Sequence, residues 1–244
     1  MTDLHIHTFF CDGKSSPEDM VKSAIEKGLS QVGILAHSYV PFDDCCIPLD
    51  RVDEFKAEVM RLKKKYRGQI DVVCGIEADY YSPQDFSDFD YVIGSVHYLK
   101  HGGEYIAIDN TPQTLKDMID RFYGGDFYAC AEDYFETAAK WAQKSPNVIG
   151  HFDLIKKFRR EIPFDDQDTR YINAWRNAVD ALLPLSVLFE LNTGGIVRGY
   201  TDEPYPSPEI AEYIKSKGGK LMLSSDAHLA ENIGFEFEKW KYLI

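Results

Sequence analysis

The chain has 244 residues, a length that suits one large α/β domain or two small ones. Its net charge of −13 argues against a large nucleic-acid-binding surface, and no apolar run is long enough to cross a membrane. No secretory signal is visible at the N-terminus, and the five cysteines form no C-x-x-C pair, so we expect a cytoplasmic protein with free thiols.

Short apolar runs alternate with amphipathic segments along the chain. The first run, Asp3-Leu4-His5-Ile6-His7, predicts a strand that carries both histidines on one face. Ser16-Pro17-Glu18-Asp19 then predicts a capped helix over 17–27 that ends at Gly28. Six more strands are predicted over 32–36, 70–76, 90–96, 147–150, 186–191 and 220–224. Five more helices are predicted over 50–65, 112–122, 127–143, 169–183 and 208–217. Gly102-Gly103 predicts a turn, and a basic stretch, Lys156-Lys157-Phe158-Arg159-Arg160, follows the strand over 147–150.

The alternation of strands and helices indicates an α/β protein with about seven strands. Neither a linker nor an internal repeat divides the sequence, so we expect a single domain over 1–244. Near-continuous apolar strands are typical of parallel sheets that are buried on both faces. A single (β/α) barrel is therefore the favoured architecture, and a doubly wound open sheet is the alternative.

The histidines are concentrated at the predicted strand ends. Six of the seven lie within or just after the carboxyl end of a predicted strand, and none lies in a predicted helix. The seven are His5, His7, His37, His97, His101, His151 and His228. Glu77 and Asp226 lie at the ends of two predicted strands as well. Because the carboxyl ends of barrel strands meet at one face, these side chains are predicted to form a metal-binding site.

The types of side chain at these positions limit the choice of metal. Histidine with carboxylate, and little cysteine, suits zinc, manganese or iron as divalent ions. Six histidines with Glu77, Asp226 and Asp12 exceed the roughly four to six ligands of one ion, which implies two or three ions. Clustered ions of this kind activate water and hold a phosphoryl group during its transfer.

The same residues resemble the motifs of a known family. The matching positions are His5-x-His7, Asp12, His37, Glu77, His97, His151 and Asp226-x-His228, which resemble the full motif set of the PHP (polymerase and histidinol phosphatase) superfamily. Gly94-Ser95-Val96-His97-Tyr98 and Glu190-Leu191-Asn192-Thr193-Gly194 resemble its histidinol-phosphatase branch. The resemblance covers residues 5–228 and implies a distorted seven-stranded (β/α) barrel with three metal ions.

The resemblance also implies which residues hold each ion. The first ion would be held by His5, His7, Glu77 and Asp226. Glu77 would bridge to a second ion, completed by His97 and His151. The third would be held by Asp12, His37 and His228. A hydroxide between the first two ions would be the nucleophile. Asp12, His228 or a metal-bound water would protonate the leaving group, and the sequence leaves this choice open.

The activity implied by the resemblance is hydrolysis of L-histidinol phosphate to L-histidinol and phosphate, a step of histidine biosynthesis. Arginines bind the phosphate in this branch, and Arg160 and Arg198 are the candidates, with Arg159 as a rival to Arg160. His101 lies outside the family's ligand set and is a further candidate for substrate contact. Acidic loops, Asp43-Asp44 or Asp165-Asp166, could attract the amine of this substrate.

Two other functions remain open on the sequence. One keeps the family and changes the substrate to nucleotides, to phosphotyrosine or, as an exonuclease, to nucleic acid. The charge of −13 disfavours the exonuclease. The other is a metal-binding regulatory or storage barrel without turnover. The expected partner is a small phosphate ester, with no nucleic acid and no membrane, and a homodimer is left open.

Overall fold

A computed structural model describes residues 1–244. Its strands are β1 (Thr2–Ile6), β2 (Gln31–Ile34), β3 (Asp71–Asp79), β4 (Tyr91–Ser95), β5 (Tyr98–His101), β6 (Glu104–Ala107), β7 (Val148–Ile149), β8 (Leu188–Asn192) and β9 (Lys220–Ser224). Its α-helices are α1 (Pro17–Glu26), α2 (Val52–Lys65), α3 (Pro112–Tyr123), α4 (Phe127–Ala139), α5 (Thr169–Leu182), α6 (Gly194–Val197), α7 (Pro208–Ser216) and α8 (Phe237–Trp240). None of the helices combines the length and the apolar character needed to cross a bilayer.

Seven of the strands form one parallel sheet in the order β1-β2-β3-β4-β7-β8-β9. The sheet curls until its first and last strands meet just beyond their carboxyl ends. There His7 N donates to Ala227 O at 2.9 Å, and Ala227 N donates to His5 O at 3.3 Å. The predicted barrel is therefore confirmed, and the alternative of an open sheet is wrong.

The seam between the first and last strands is reinforced by Asp3. This fully buried carboxylate accepts a hydrogen bond from Ser225 N and another from Gly234 N, each at 3.0 Å. The first contact fixes the residue before Asp226, and the second fixes the C-terminal tail. A buried carboxylate requires such partners, so Asp3 couples the start of the chain to its end.

The interior of the barrel is filled below the strand ends. Tyr91 of β4 crosses the interior, and its hydroxyl donates to Leu4 O at 2.5 Å. A Cβ atom at Gly33 would lie 2.1 Å from the Tyr91 hydroxyl, and one at Gly75 would lie 2.3 Å from its ring. Glycine at both positions therefore makes room for the ring. The filled interior leaves the carboxyl ends of the strands as the open face.

The differences from the predicted elements concern strand length and one hairpin. β3 continues to Asp79, so Glu77 lies inside the strand and not after its end. The antiparallel hairpin of β5 and β6 was not predicted. Its turn, Gly102-Gly103, was expected, and both glycines adopt positive φ, at 55° and 90°. The flanking strands have four residues each, too few to show an alternating pattern in the sequence.

Candidate metal centre

The first group of ligands lies where the two ends of the chain meet. His5 and His7 point inward from β1, both are fully buried, and their Nε2 atoms are 3.0 Å apart. Glu77 Oε2 lies 3.2 Å from each of these nitrogens. Asp226 Oδ1 lies 3.7 Å from His5 Nε2 and 3.5 Å from His7 Nε2. The structure thus brings together the four side chains expected at the first ion.

Glu77 also faces the second group. Its Oε1 atom lies 2.8 Å from His151 Nε2 and 3.3 Å from His97 Nε2, and it accepts a hydrogen bond from Ser95 Oγ at 2.8 Å. The two imidazoles approach each other to 3.2 Å between Nε2 atoms. Because its two oxygens face different groups of imidazoles, Glu77 occupies the position of a bridging ligand.

Asp12, His37 and His228 form the third group. Asp12 Oδ2 lies 3.1 Å from His228 Nε2, and Asp12 Oδ1 lies 3.6 Å from His37 Nε2. His7 borders this group as well, with its Nδ1 atom 3.9 Å from Asp12 Oδ1. The three groups are therefore contiguous, with His7 between the first and third and Glu77 between the first and second.

Two carboxylate oxygens at the centre suit a cation better than a hydrogen-bond donor. Glu77 Oε2 lies within 3.0–3.2 Å of nitrogens of His5, His7 and His37, yet it has no partner in hydrogen-bond geometry. Asp12 Oδ1 is buried and also has no hydrogen-bond partner. Buried polar atoms are nearly always satisfied, so these oxygens fit a divalent metal ion.

The titration of the imidazoles follows from burial and from the nearby carboxylates. Burial, aided by the positive charge of His37 and His228, lowers the pKa of His7 to about 3, which keeps this imidazole neutral. Burial opposes the charged form of His37 too, but Glu77 beside it raises the pKa of His37 to about 9. Burial likewise opposes ionisation of Glu77, but His5, His37 and His97 hold its pKa well below the usual range. An arriving cation would displace protons from this centre.

Side chains behind the ligands orient the imidazoles. Fully buried Glu190 accepts a hydrogen bond from His5 Nδ1 at 2.7 Å and another from Ser224 Oγ at 2.8 Å. Asp79 accepts from the backbone N–H of His97 at 3.0 Å. Neither carboxylate was predicted from the sequence to have a role. Glu190 belongs to one of the motifs that resemble the histidinol-phosphatase branch, so the sequence did contain a signal for it. Asp79 lies beyond the predicted end of its strand, so nothing in the sequence pointed to it.

Arg198 is the predicted arginine that reaches the centre. It donates from Nη2 to Asp226 Oδ2 at 2.8 Å and from Nη1 to Asp226 O at 3.0 Å. Asp226 itself adopts a left-handed φ of 50°, rare for a residue other than glycine and common at functional sites. A Cβ at Gly194 would lie 2.7 Å from Arg198 Nη2, so glycine after β8 leaves room for the guanidinium.

The other predicted substrate contacts lie elsewhere. Arg160 donates to both carboxylate oxygens of Asp202 at 3.0 Å, and its rival Arg159 pairs with Asp166 at 2.7 Å. His101 Nε2 lies 2.6 Å from the hydroxyl of Tyr123. Neither Arg160 nor His101 lines the cavity at the metal centre, so the expectation that they contact substrate finds no support in this arrangement.

The centre opens into a cavity of about 460 Å³, a volume in the range of small-molecule sites. The cation that accompanies Arg198 in its wall is Lys157, whose Nζ lies 3.3 Å from Asp109 Oδ2. Lys157 belongs to the basic stretch over 156–160, from which Arg160 and not Lys157 was predicted to bind phosphate. The stretch follows a single turn of 3₁₀ helix over Leu154–Lys156.

Comparisons with known proteins agree with this architecture. The family model for the PHP domain matches residues 3–194. The "Probable histidinol-phosphatase" of Deinococcus radiodurans is 30% identical, over 97% of this chain and 90% of its own. The "Histidinol-phosphatase" of Bacillus subtilis is 26% identical, over 97% and 96%.

Two solved structures share the fold. A Listeria monocytogenes chain has a TM-score of 0.88 at 23% identity, over 98% of this chain and 100% of its own. The histidinol phosphate phosphatase of Lactococcus lactis, complexed with zinc, L-histidinol and phosphate, has a TM-score of 0.75 at 22% identity, over 100% and 92%. The fold of this chain is thus shared with proteins of known structure over nearly its whole length.

Proposed function

The chain belongs to the PHP domain family, and we propose that it is a metal-dependent phosphomonoesterase that hydrolyses L-histidinol phosphate to L-histidinol and phosphate. The observation that carries the proposal is the convergence of nine histidine and carboxylate ligands at the base of a small-molecule cavity. The relatives from Deinococcus and Bacillus, which carry the name of this activity over nearly the whole chain, support the choice of substrate.

We assign three divalent ions to the three contiguous groups of ligands. Zinc is the first choice among zinc, manganese and iron, since the Lactococcus protein of the same fold binds zinc. Such ions, when bound, would supply a nucleophilic hydroxide and neutralise charge on the phosphoryl oxygens. Glu77 would bridge two of them, which explains its full burial and its position between the imidazole groups.

The chain's own side chains have separate tasks in this proposal. Arg198 would bind a phosphate oxygen with a charge-assisted hydrogen bond, and Lys157 would add positive charge on the same wall. Glu190 would keep His5 in the tautomer that presents Nε2 to the centre. Asp12 and His228, hydrogen-bonded to each other at 3.1 Å, are the two side chains that could deliver a proton to the leaving alkoxide.

The test is the Glu77→Gln variant with metal content and turnover measured on the same preparation. We expect loss of bound metal and a fall in kcat/KM of at least about a thousandfold, because an amide cannot bridge two cations. Glu212→Gln, an exposed residue on α7, is the matched control and should retain both. Near-normal turnover of the Glu77 variant would rule the proposed mechanism out.

The substrate is tested on the unmodified protein with a panel of phosphate esters. Phosphate release from L-histidinol phosphate should exceed that from nucleotides and phosphotyrosine by about tenfold or more in kcat/KM. Equal rates on all esters would leave a general phosphoesterase. Bound metal without release from any ester would instead indicate the regulatory or storage barrel considered from the sequence.

A further inference from the structure

Three carboxylates outside the metal groups line the cavity, and two of them have partners that account for them. Asp109 pairs with Lys157 at 3.3 Å. Asp79 accepts from the backbone N–H groups of His97 and Tyr81, at 3.0 and 2.8 Å. The third is Asp43, in the loop between β2 and α2, and the structure gives it no cation as partner.

Asp43 receives hydrogen bonds only from neutral groups. The hydroxyl of Tyr98 donates to its Oδ2 atom at 2.5 Å, and the backbone N–H of Cys45 donates to Oδ1 at 2.8 Å. Partial burial works against ionisation, but these two donors lower the pKa of Asp43, so it is charged at neutral pH. A charged carboxylate in a cavity wall is best satisfied by a cation.

The cations of the cavity wall are committed elsewhere. Lys157 contacts Asp109, and Arg198 contacts Asp226 and faces the metal centre. The imidazole of His37 lies 3.0 Å from Glu77 Oε2 and 3.6 Å from Asp12 Oδ1. Of the four acidic residues that the sequence offered for an amine, Asp43 is the one in this cavity. Asp44 beside it is exposed, and Asp166 pairs with Arg159 on another part of the surface. None of these cations forms an ion pair with Asp43, so the position beside its carboxylate is open to a positive charge carried by a ligand.

The position of Asp43 is fixed by aromatic packing. The ring of Phe42 stacks on Tyr105 of β6 at 4.2 Å between centroids, with 6° between the planes. Phe42 also meets the edge of Tyr98 of β5 at 4.9 Å. The hairpin that the sequence did not reveal thus carries the loop and presents its carboxylate. A group held in place before binding loses little entropy when the ligand arrives.

We propose that Asp43 is a specificity-determining residue that binds the ammonium group of an amino-alcohol phosphate while the phosphate lies at the metal centre and Arg198. The inference rests on the proposed function and adds the reason why this cavity would prefer an ester that carries an amine. The ligand class that it predicts is a zwitterion with phosphate at one end and a primary ammonium at the other.

The test uses Asp43→Asn, which keeps the shape of the side chain and an acceptor for Tyr98 but removes the charge. Its substrates are L-histidinol phosphate and the deaminated ester that retains the imidazole, the propyl chain and the phosphate. We expect kcat/KM for L-histidinol phosphate to fall about ten- to a hundredfold, the usual effect of losing a charged hydrogen bond. The deaminated ester should change by less than about threefold.

The matched control is Asp44→Asn in the same loop, which should leave both rates unchanged. Equal losses on the two esters in the Asp43 variant, or no loss on either, would overturn the inference. Failure of the proposed function would look different. The unmodified protein would then show no preference for L-histidinol phosphate in the ester panel, whatever the Asp43 variant does.

Discussion

His5 is held from two sides by carboxylates with different tasks. Glu77 faces its Nε2 atom at 3.2 Å in the metal centre, whereas Glu190 accepts from its Nδ1 atom at 2.7 Å. Glu190 also accepts from the backbone N–H of His151, so it orients ligands of two neighbouring groups. A carboxylate in this position raises the basicity of the imidazole and fixes its tautomer.

We therefore predict that Glu190→Gln weakens metal binding and leaves the ligands in place. The apparent dissociation constant should rise about ten- to a hundredfold, the usual cost of removing such a support. Competition with a chromophoric chelator measures it, with Glu212→Gln as the control. Unchanged affinity in the Glu190 variant would mean that Glu190 serves packing alone.

The sequence was sufficient to predict which histidine and carboxylate side chains converge, and insufficient for what surrounds them. His37, Glu77 and His97 could be assigned because each follows or ends a recognisable apolar strand, and such ends converge in any barrel. Arg160 was predicted to bind phosphate but lies outside the cavity, since a loop's direction depends on contacts such as its pairing with Asp202. Lys157 lies in the cavity wall, and nothing in the sequence distinguished it from Arg160.

At the scale of elements, α1 and α2 are joined by a charged cluster on their outer surface. Glu18 near the start of α1 contacts Lys65 of α2, accepts from Arg61 Nη2 at 2.7 Å and accepts from the hydroxyl of Tyr66 at 3.0 Å. These donors, Lys65 foremost, lower the pKa of Glu18 to about 2. The cluster ties together the two helices that pack on β2 and β3.

The cluster around Glu18 makes the stability of the folded protein depend on pH, and the direction of this dependence follows from the pKa of Glu18. The pKa of Glu18 is lower in the folded state than the ordinary 4.5, so its stabilisation is complete above about pH 4.5 and is lost as the pH falls towards 2. Glu18→Gln should thus lower Tm by a degree or two at pH 7, a small effect because the cluster is exposed.

Thermal melts of the Glu18 variant and the unmodified protein between pH 7 and pH 3 measure this difference in Tm, which should narrow below pH 4.5. Glu26→Gln on the same helix is the control and should show no such trend. A difference in Tm that stays constant over the whole range would contradict the assignment.

The hairpin of β5 and β6, and its packing against the loop that carries Phe42, could not be predicted from the sequence. The pattern around Gly102-Gly103 indicated a turn but not the flanking strands, and the aromatic residues on them gave no sign of their partners. Phe42 and Tyr105 are far apart in the sequence, and their stacking exists only in the folded chain. Contacts of this kind, between a loop and an inserted hairpin, are specified by packing and not by local periodicity.

For the whole molecule, the metal centre and the barrel seam coincide. His5 and His7 come from β1, Asp226 follows β9, and the bridge between Ile6 and Ala227 lies among them. The barrel was predictable because apolar strands and helices alternate throughout. Its manner of closure was not, since a single bridge supported by the carboxylate of Asp3 leaves no periodic trace.

We predict that removing the metal lowers the stability of the whole barrel. A site filled at a thousand times its dissociation constant contributes about 4 kcal/mol, and each kcal/mol is worth about 2–4 °C in a chain of this size. Exhaustive chelation should therefore lower Tm by about 10 °C or more, as measured by calorimetry with elemental analysis.

The Glu77→Gln variant is the control for chelation, because a protein that binds no metal should show no shift. An unchanged Tm in fully stripped unmodified protein would mean that packing alone holds the seam.

The position of the metal centre at the seam also determines when, during synthesis of the chain, metal can bind. A ribosome makes His5 and His7 first and Asp226 and His228 last among the proposed ligands, so the growing chain displays two imidazoles long before Asp226, the last member of their group, exists. Completion of the first and third groups must then follow synthesis of the last strand. The metals acquired would reflect the ions free in the cell at that moment, and the same sequence made under different metal supply would yield enzymes of different composition.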